Sequence, residues 1–226
     1  MVATEGAVVI AGEQTAGRGR RGRAWFSPPG SGLYVSIVLM PSRSANPRRA
    51  TSLTTIAAGV ALAEGIEAAA GLRARLKWPN DLYVGRRKIG GILAEAAASG
   101  DRIAAVVLGY GINVAEAAYP PDLRDRVTSL ESELGAPPSR PSVLAETIAA
   151  MAARYDDLLA GRFDAILNGW RARADAKGAR VEWNGADGPR TGDVVDIDED
   201  GALLVQLDGR VERIVSGEVT FHAPGH

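Results

Sequence analysis

Two stretches of the chain differ in how apolar and polar residues alternate. In the first, apolar runs at residues 6–11, 33–40 and 102–109 predict strands, and the first two are expected to be buried. The alanine-rich stretch from Pro47 to Ala70 carries apolar residues at helical spacing and predicts a long helix. Gly71 follows it directly, as expected at a helix C-terminus. The first stretch therefore combines strands with helices.

Shorter elements fill the rest of this stretch. The pattern RARLKW at residues 73–78 alternates as a short strand, and Pro79, Asn80 and Asp81 after it are typical of a turn. The other predicted elements are a hairpin at 82–84 and 87–95, a long surface loop at 115–141 with a short helix near 129–134, a helix at 142–160 with Ser142 as its N-cap, and a helix at 163–176. Together these elements predict an α+β domain built on a mixed sheet.

After Lys177 the pattern changes to short alternating runs. Asn184-Gly185, Asp200-Gly201 and Asp208-Gly209 separate some of them, and such pairs favour the tight turns of β-hairpins. The runs lie at residues 179–183, 191–197, 202–207, 210–215 and 218–221. Short strands at close intervals predict a small β-barrel. We therefore expect two domains, at residues 1–177 and 178–226.

Four arginines and three glycines occupy the seven residues from Gly17 to Arg23, and Trp25 closes the stretch. We call residues 17–25 the arginine loop. Glycine allows the backbone to approach a ligand closely, and the guanidinium group offers a planar set of donors that matches phosphate oxygens. The loop is therefore predicted to be a mobile clamp for an anion. A solvated basic loop and a nucleic-acid-binding segment of the Arg-Gly type remain alternatives at this point.

The composition of the chain argues against several classes of ligand and reaction. The formal net charge of the 226 residues is −1, so no overall field draws the protein to nucleic acid or to an anionic membrane. Cysteine is absent, and both histidines, His222 and His226, lie in the last five residues, which argues against thiol chemistry, a serine–histidine–aspartate triad and a histidine-bound metal. The sequence shows neither an uninterrupted apolar run of about 20 residues nor a signal-peptide pattern. A cytoplasmic protein that binds a small anion is the prediction.

Three segments carry a resemblance to a known family. They are GRGRRGRAWFSP at the arginine loop, KWPNDL followed by KIGGILAE at residues 77–95, and GYGIN at residues 109–113. In this order and at these spacings they resemble the catalytic core of biotin protein ligases, and the C-terminal barrel is similar to the SH3-like domain of that family. The resemblance implies a catalytic core like that of class II aminoacyl-tRNA synthetases, followed by an SH3-like barrel.

The resemblance also implies an ATP-dependent reaction in two steps. The biotin carboxylate attacks the α-phosphate of ATP to give biotinyl-5′-AMP, and a lysine of a biotin carboxyl carrier domain then takes the biotinyl group. A carboxylic acid with a pKa of roughly 4 to 5 is ionised at neutral pH, so the first step needs charge neutralisation and alignment rather than a general base. ATP would arrive with Mg²⁺, which its phosphates and water would largely hold, because the sequence offers no dedicated metal site.

The family pattern assigns roles to residues of this chain. Lys77 is similar to the lysine that contacts both the biotin carboxylate and the α-phosphate, and Arg20 to the arginine that retains the intermediate, so these two are the predicted catalytic residues. Lys88 is similar to a second lysine near the biotin tail. The resemblance places on the biotin side Gln14, Gly17, Arg18, Arg20, Lys77 and Gly91. It places on the nucleotide side Arg20, Arg21, Arg23, Trp25, Asn80, Asp81 and Asn113, with Gly109, Gly111 and Asn113 in a turn.

Two departures from the family pattern leave alternatives open. Family members carry a Ser-Thr-Asn motif ahead of the first strand, and we expect this chain to lack that segment. The sequence also shows no helix-turn-helix, so neither DNA binding nor a repressor role is expected, whereas a homodimer is possible within the family. A lipoate or octanoate ligase of the same fold, and a truncated relative that only binds ligand or carrier domain, remain alternative functions.

Overall fold

Two antiparallel sheets and five α-helices make up the described part of the chain. The computed structural model describes residues 4–99, 102–174, 176–185 and 188–222. The first sheet has six strands, β1 (Val8–Ala11), β2 (Gly32–Leu39), β3 (Arg75–Lys77), β4 (Asp81–Val84), β5 (Arg87–Ser99) and β6 (Arg102–Asn113), in the order β1-β2-β6-β5-β4-β3. The helices are α1 (Pro47–Ala70), α2 (Pro121–Arg124), α3 (Leu130–Leu134), α4 (Arg140–Leu159) and α5 (Phe163–Arg171).

Every strand pair of the first sheet is antiparallel, so the prediction of a mixed sheet is wrong. Short connections account for this in the pairs β3–β4, β4–β5 and β5–β6. Antiparallel neighbours can be joined by very short turns, as β4 and β5 are at Gly85-Arg86, whereas parallel neighbours need a long crossover. Among the described residues, one isolated bridge, between Lys88 and Val127, is parallel.

Helix α1 has the predicted bounds and forms much of the core. The Asn46 side chain accepts a hydrogen bond from the Arg49 amide at its start, and Gly71 ends it in the left-handed conformation with φ 66°. The helix is long and apolar enough to cross a membrane, but 67% of its most apolar window is buried inside the protein. It is therefore covered by other parts of the chain, as a core helix is.

Three other predicted boundaries shift in the structure. Helix α4 begins at Arg140 with Ser139 as its N-cap, not Ser142, because Pro141 fits only the first turn of a helix, where no amide donor is needed. Helix α5 ends at Arg171. Strand β6 continues to Asn113, so the GYGIN segment lies in a strand and not in the predicted turn.

Strand β1 is exposed, against the prediction of a buried strand. The exposed fractions of Val8, Val9 and Ile10 are 40%, 67% and 53%. The strand pairs with β2 and lies at the edge of the sheet order. An apolar run indicates a strand, but it does not specify whether the strand is central or at an edge.

The second sheet contains β7 (Arg180–Gly185), β8 (Gly188–Ile197), β9 (Leu203–Leu207), β10 (Arg210–Ile214) and β11 (Val219–Phe221), in the order β10-β9-β8-β7-β11. Its β8–β9 turn packs against Trp78 and helix α1. The buried Trp78 indole donates a hydrogen bond to the Gly201 carbonyl at 2.9 Å. A Cβ at Gly201 would lie only 3.0 Å from the Leu53 side chain of α1, so the turn packs tightly against that helix.

Candidate functional site

The arginine loop is a tight hairpin in the structure. Its stems form a bridge between Arg18 and Ala24, and the Trp25 amide donates a hydrogen bond to the Gly17 carbonyl at 2.9 Å. The tip is a single 3₁₀ turn at Arg20–Gly22, in which Arg21 has φ 57°. A Cβ at Gly17 would lie 2.5 Å from the Trp25 carbonyl oxygen, so the base of the hairpin requires glycine at this position.

The hairpin lies over a part of the first sheet that carries no side chains. Gly91 on β5 and Gly109 and Gly111 on β6 form this surface, which we call the glycine floor. Gly91 is paired directly with Gly111, so both face the same side. The Trp25 ring covers the floor, because a Cβ at Gly111 would lie 2.6 Å from Trp25 Nε1 and one at Gly91 3.1 Å from Trp25 Cζ3. Trp25 Nε1 is buried and has no hydrogen-bond partner among the described residues.

Lys88 is the cation beside this floor. Its Nζ lies 5.2 Å from the centre of the Trp25 ring and 2.6 Å from Asp81 Oδ1. A Cβ at Gly91 would approach Lys88 Nζ to 3.2 Å. The ammonium group, the indole and the glycine floor therefore meet at one place. The sequence prediction gave Lys77 the central role and Lys88 a secondary one. The KIGG motif, which begins at Lys88, was the sequence signal for this residue.

Lys77 occupies a different environment. Its Nζ lies 5.1 Å from the centre of the Tyr83 ring and 5.5 Å from that of Phe221. Burial lowers its pKa, and the nearby Asp81 carboxylate opposes that effect. Desolvation also raises the pKa of Tyr83 to about 12. Lys77 is thus a partly buried cation held between aromatic rings.

Asn80 connects the arginine loop to the sheet. Its Oδ1 accepts a hydrogen bond from Arg20 Nη1 at 3.1 Å, and its Nδ2 donates to the Ile92 carbonyl at 2.7 Å. The half-buried Arg20 therefore faces a neutral amide. Burial lowers the pKa of Arg20, and Arg21 beside it acts in the same direction. Such a guanidinium group favours an incoming anion.

The other loop arginines contact acidic side chains. Arg18 donates to Glu95 Oε2 at 3.1 Å, and Arg23 donates to Glu218 Oε2 at 2.5 Å. The hydrogen bond from Arg23 lowers the pKa of Glu218. Glu218 and Phe221 belong to the last segment of the chain, so the second sheet contributes to the site. No local pattern in the sequence indicated these two residues, because only tertiary docking brings them near.

The remaining predicted residues are spread around this centre. Gln14 is exposed, and its Oε1 would lie 3.3 Å from a Cβ at Gly17, so it borders the base of the hairpin. Arg21 is exposed at the tip. Asn113 is buried, and its Nδ2 donates to the Thr128 carbonyl at 2.9 Å. Its side chain therefore has a partner within the protein, and its contact with a nucleotide stays a prediction.

Acidic and histidine side chains do not gather into a metal site within the described ranges. No group of three or more such residues is positioned to hold an ion there, and His226 lies outside those ranges. The site is instead cationic: Lys88 lies beside the glycine floor, and both Lys77 and Arg20 lie near Asp81, the ion-pair partner of Lys88. This arrangement can neutralise a carboxylate and a phosphate brought together.

Two protein-family models match the chain. Residues 3–113 match the Biotin/lipoate A/B protein ligase family, and residues 178–221 match the Biotin protein ligase C terminal domain. The first match contains the arginine loop, Asn80, Lys88 and the glycine floor. The second contains Glu218 and Phe221. Both halves of the site therefore lie in matched segments.

Similar proteins from bacteria cover most of the chain. The biotin–[acetyl-CoA-carboxylase] ligase of Paracoccus denitrificans is 35% identical over 222 residues, which cover 94% of this chain and 89% of that protein. The bifunctional ligase/repressor BirA of Bacillus spizizenii is 36% identical over 219 residues, 96% of this chain but 66% of that protein. This chain thus spans about two thirds of the length of that relative.

A solved structure has a similar fold. The biotin protein ligase of Aquifex aeolicus in complex with biotin and ATP superimposes with a TM-score of 0.84 at 29% identity. The match covers 98% of this chain and 91% of that one.

Proposed function

The chain belongs to the biotin protein ligases, and on that premise we propose that it activates biotin with ATP and transfers it to a carrier-domain lysine. The first step forms biotinyl-5′-AMP and pyrophosphate. The second step forms an amide with a lysine of a biotin carboxyl carrier domain and releases AMP. Biotin and ATP are the small-molecule substrates in this proposal, and the A. aeolicus relative forms a complex with both.

The meeting of Lys88, Trp25 and the glycine floor carries this proposal. A ring system can pack closely on a surface without side chains, and the floor at Gly91 and Gly111 is such a surface; the Trp25 ring lies on it in this structure, so we propose that biotin displaces that ring. The carboxylate at the end of such a ligand needs a cation, and Lys88 Nζ stands beside the Trp25 ring at 5.2 Å. The unpaired Trp25 Nε1 adds a hydrogen-bond donor at the same place.

Charge neutralisation is the catalytic work of the site in this proposal. Two anions, a carboxylate and a phosphate, must approach closely, and cations fixed in advance lower the cost of that approach. We assign Lys88 to the biotin carboxylate, and Lys77 and Arg20 to the charge that develops at the α-phosphate. Lys77 was the central residue in the sequence prediction, and its role relative to that of Lys88 stays a prediction.

The arginine loop takes the phosphate side in this scheme. Arg21 and Arg23 are candidates for phosphate contact, Asn80 orients Arg20, and Asp81 holds Lys88 at 2.6 Å. Gln14, Gly17 and Arg18 lie at the base of the hairpin and are proposed to border biotin. Closure of this loop would keep water from the mixed anhydride.

We also propose the domain types of the family for this chain. We assign residues 1–177 to a core like that of class II aminoacyl-tRNA synthetases and 178–226 to an SH3-like barrel. The match of residues 178–221 to the C-terminal domain and the start of β7 at Arg180 support this division. Mg²⁺ is expected with ATP. A cytoplasmic location, a homodimer and the lack of DNA binding stay predictions.

Biotin-dependent exchange of labelled pyrophosphate into ATP tests the proposal, with lipoate and octanoate as parallel acids. Exchange with biotin, followed by label transfer from biotin to a purified carrier domain, is the expected result. Exchange only with lipoate or octanoate would move the chain to the lipoate branch. Carrier binding without exchange would identify a protein that only binds its ligand or partner.

A further inference from the structure

The basic side chains of this chain are almost all arginines. Of the 26 lysines and arginines in the sequence, 23 are arginines and three are lysines. Lys77 and Lys88 belong to the candidate site, and Lys177 is exposed in the turn before β7. The exposed basic side chains around the site are therefore arginines, among them Arg18, Arg21, Arg23, Arg86, Arg87 and Arg126.

Arg126 borders the two lysines of the site. Its carbonyl oxygen accepts a hydrogen bond from the Lys88 backbone amide at 2.9 Å. Burial lowers the pKa of Lys77, and the positive charge of Arg126 acts in the same direction, so the guanidinium group lies near that ammonium group. The Arg126 side chain is exposed, which places it at the rim of the site.

We propose that arginine at these rim positions keeps the ligase from acylating itself, so that the activated acid passes to the carrier lysine. This inference rests on the proposed function. In its second step the amine nitrogen bonds to the acyl carbon, and the bond from that carbon to the phosphate oxygen breaks. AMP leaves with the electron pair, and the nitrogen loses a proton to solvent. A lysine of the ligase itself can take the same step if its amine reaches the adenylate.

Arginine supplies positive charge without this reaction. Its guanidinium group is delocalised and stays protonated, so it has no free electron pair to attack an acyl carbon. A lysine with an ordinary pKa of about 10.4 has roughly 0.1% free amine at pH 7.4, and a nearby activated acyl group consumes that fraction as it forms. The rim can therefore attract phosphates and still not be an acceptor.

Position 126 is close enough for self-acylation if it carries lysine. The backbone there is hydrogen-bonded to that of Lys88, whose Nζ lies 5.2 Å from the centre of the Trp25 ring. In the proposed function the acid lies on the glycine floor beside these groups. A lysine side chain has a flexible stem of four carbon atoms, so its amine would come within reach of the activated acyl group.

Single exchanges of arginine for lysine test this inference at constant charge. Arg126→Lys and Arg86→Lys place an amine near the site, at the rim and in the β4–β5 turn two residues before Lys88. Arg162→Lys is the matched control, because Arg162 is also exposed but lies between α4 and α5, on the helical side of the sheet.

The packing of β5 shows that this is the side away from the glycine floor. The Ile92 side chain faces α1, where it lies 3.8 Å from the position of a Cβ at Gly59. Gly91 is the next residue of the strand, so it faces the opposite side. Helix α4 packs on α1 at Gly65.

Each protein is incubated with biotin and magnesium ATP in the absence of a carrier domain. Peptide mapping by mass spectrometry then quantifies the biotin at each lysine, and it counts label on the α-amino group separately. A parallel reaction with a soluble active ester of biotin gives the intrinsic reactivity of each amine. Dividing by that reactivity corrects for local effects, such as the ion pair of Arg162 with Asp157.

We expect the corrected label at position 126 to exceed that at position 162 and at Lys177 about tenfold, because an acyl group retained in the site has a high local concentration for a nearby amine. Position 86 should also exceed position 162. Equal corrected labels at positions 126, 86 and 162 would overturn the inference and leave the arginines as a matter of composition. Biotin-dependent pyrophosphate exchange should be the same in all the proteins, and its lack in the wild type would instead count against the proposed function.

Discussion

At the scale of single residues, the cationic side chains of the site make contacts within the protein that a bound anion can replace. Arg18 and Arg23 make ion pairs whose arginine side chains are 71% and 64% exposed. Exposed pairs of this kind contribute about 0 to 1 kcal/mol, so a phosphate can displace the carboxylate at little cost. Among the described residues, the Arg20 side chain donates its hydrogen bond to the amide oxygen of Asn80 at 3.1 Å, and the carboxylates of Asp81 and Glu218 act on it through charge alone. The loop is therefore held in place by weak contacts and remains free to bind an anion.

Replacing each lysine of the site in turn separates their roles. Lys88→Gln should lower the rate of biotin-dependent pyrophosphate exchange roughly 100-fold, because it removes the cation beside the glycine floor. Lys77→Gln should lower it by less than roughly tenfold, since its ammonium group lies between Tyr83 and Phe221. Urea unfolding of both variants controls for stability. A larger loss in Lys77→Gln would restore the central role that the sequence predicted for Lys77.

At the scale of elements, glycines decide how strands and helices approach the site. Gly91 and Gly111 are directly paired on β5 and β6, and the Trp25 ring lies on them. Gly65 on α1 likewise allows a close approach between α1 and α4. A Cβ there would lie 2.6 Å from the Thr147 Cα of α4. In both places a missing side chain sets the distance between two packed elements.

Gly111→Ala should displace the Trp25 ring. Its new methyl group would lie 2.6 Å from Trp25 Nε1, whereas at Gly109 on the same strand the nearest atom is 3.6 Å away. The indole N–H resonance of Trp25, identified with Trp25→Phe, should therefore shift in Gly111→Ala and stay in place in Gly109→Ala. Equal shifts in the two variants would contradict the position of the ring. We also expect biotin affinity to fall about tenfold in Gly111→Ala, as overpacking forces groups apart.

Gly65→Ala should destabilise the protein by about 2 to 3 kcal/mol, because the new methyl group meets the backbone of α4. Gly59→Ala in the same helix is the matched control. A methyl group there would lie 3.4 Å or more from its neighbours, so its effect on the free energy of unfolding should stay within about 1 kcal/mol, helped by the better helix propensity of alanine. Urea unfolding measures both, and similar stabilities would contradict the close helix contact.

The sequence predicted the bounds of some elements better than their burial and their tertiary contacts. The bounds of α1 followed from apolar spacing and from Gly71, because both signals are local. The exposure of Val9 did not, since it depends on which strand lies at the sheet edge. The contact of Arg23 with Glu218 did not either, because the two residues are 195 positions apart in the chain. Motif resemblance named the arginine loop, Asn80 and Lys88, but the contact of Lys88 with the Trp25 ring depends on tertiary folding, and the relative roles of Lys77 and Lys88 stay a prediction.

At the scale of the whole molecule, the second sheet forms part of the site. The Arg23–Glu218 ion pair and the approach of Phe221 to Lys77 at 5.5 Å connect it to the loop. The Trp78–Gly201 hydrogen bond fixes the same sheet to the core. We therefore expect changes in this sheet to alter the arginine loop.

Glu218→Gln should make the loop more accessible to trypsin. Loss of the ion pair with Arg23 should raise the rate of cleavage after the loop arginines about threefold, given the modest strength of exposed pairs. Asp193→Asn is the control, because it removes an exposed pair with Arg180 within the second sheet. Mass spectrometry of the early fragments identifies the cleaved bonds, and equal rates in the two variants would show that Glu218 does not hold the loop.

The same contact predicts a pH dependence. The hydrogen bond from Arg23 holds the pKa of Glu218 below its ordinary value of 4.5. A lowered carboxyl pKa stabilises the contact at pH above 4.5, and the stabilisation is lost as the pH falls through the lowered pKa. The backbone amide resonances of the loop should therefore shift below pH 4.5 in the wild type. A titration of the same shape in Glu218→Gln would assign the shift to another group.

The buried helix α1 also has a consequence for synthesis on the ribosome. Its 24 residues are apolar enough to span a membrane, yet its packing partner α4 begins only at Arg140. At about 5 to 20 residues per second, the intervening segment of roughly 70 residues takes several seconds to emerge. During that interval the apolar helix lacks the packing partner that covers it in the folded protein. Early pairing of β5 with β6, which lie between the two helices in the chain, would shorten this exposure.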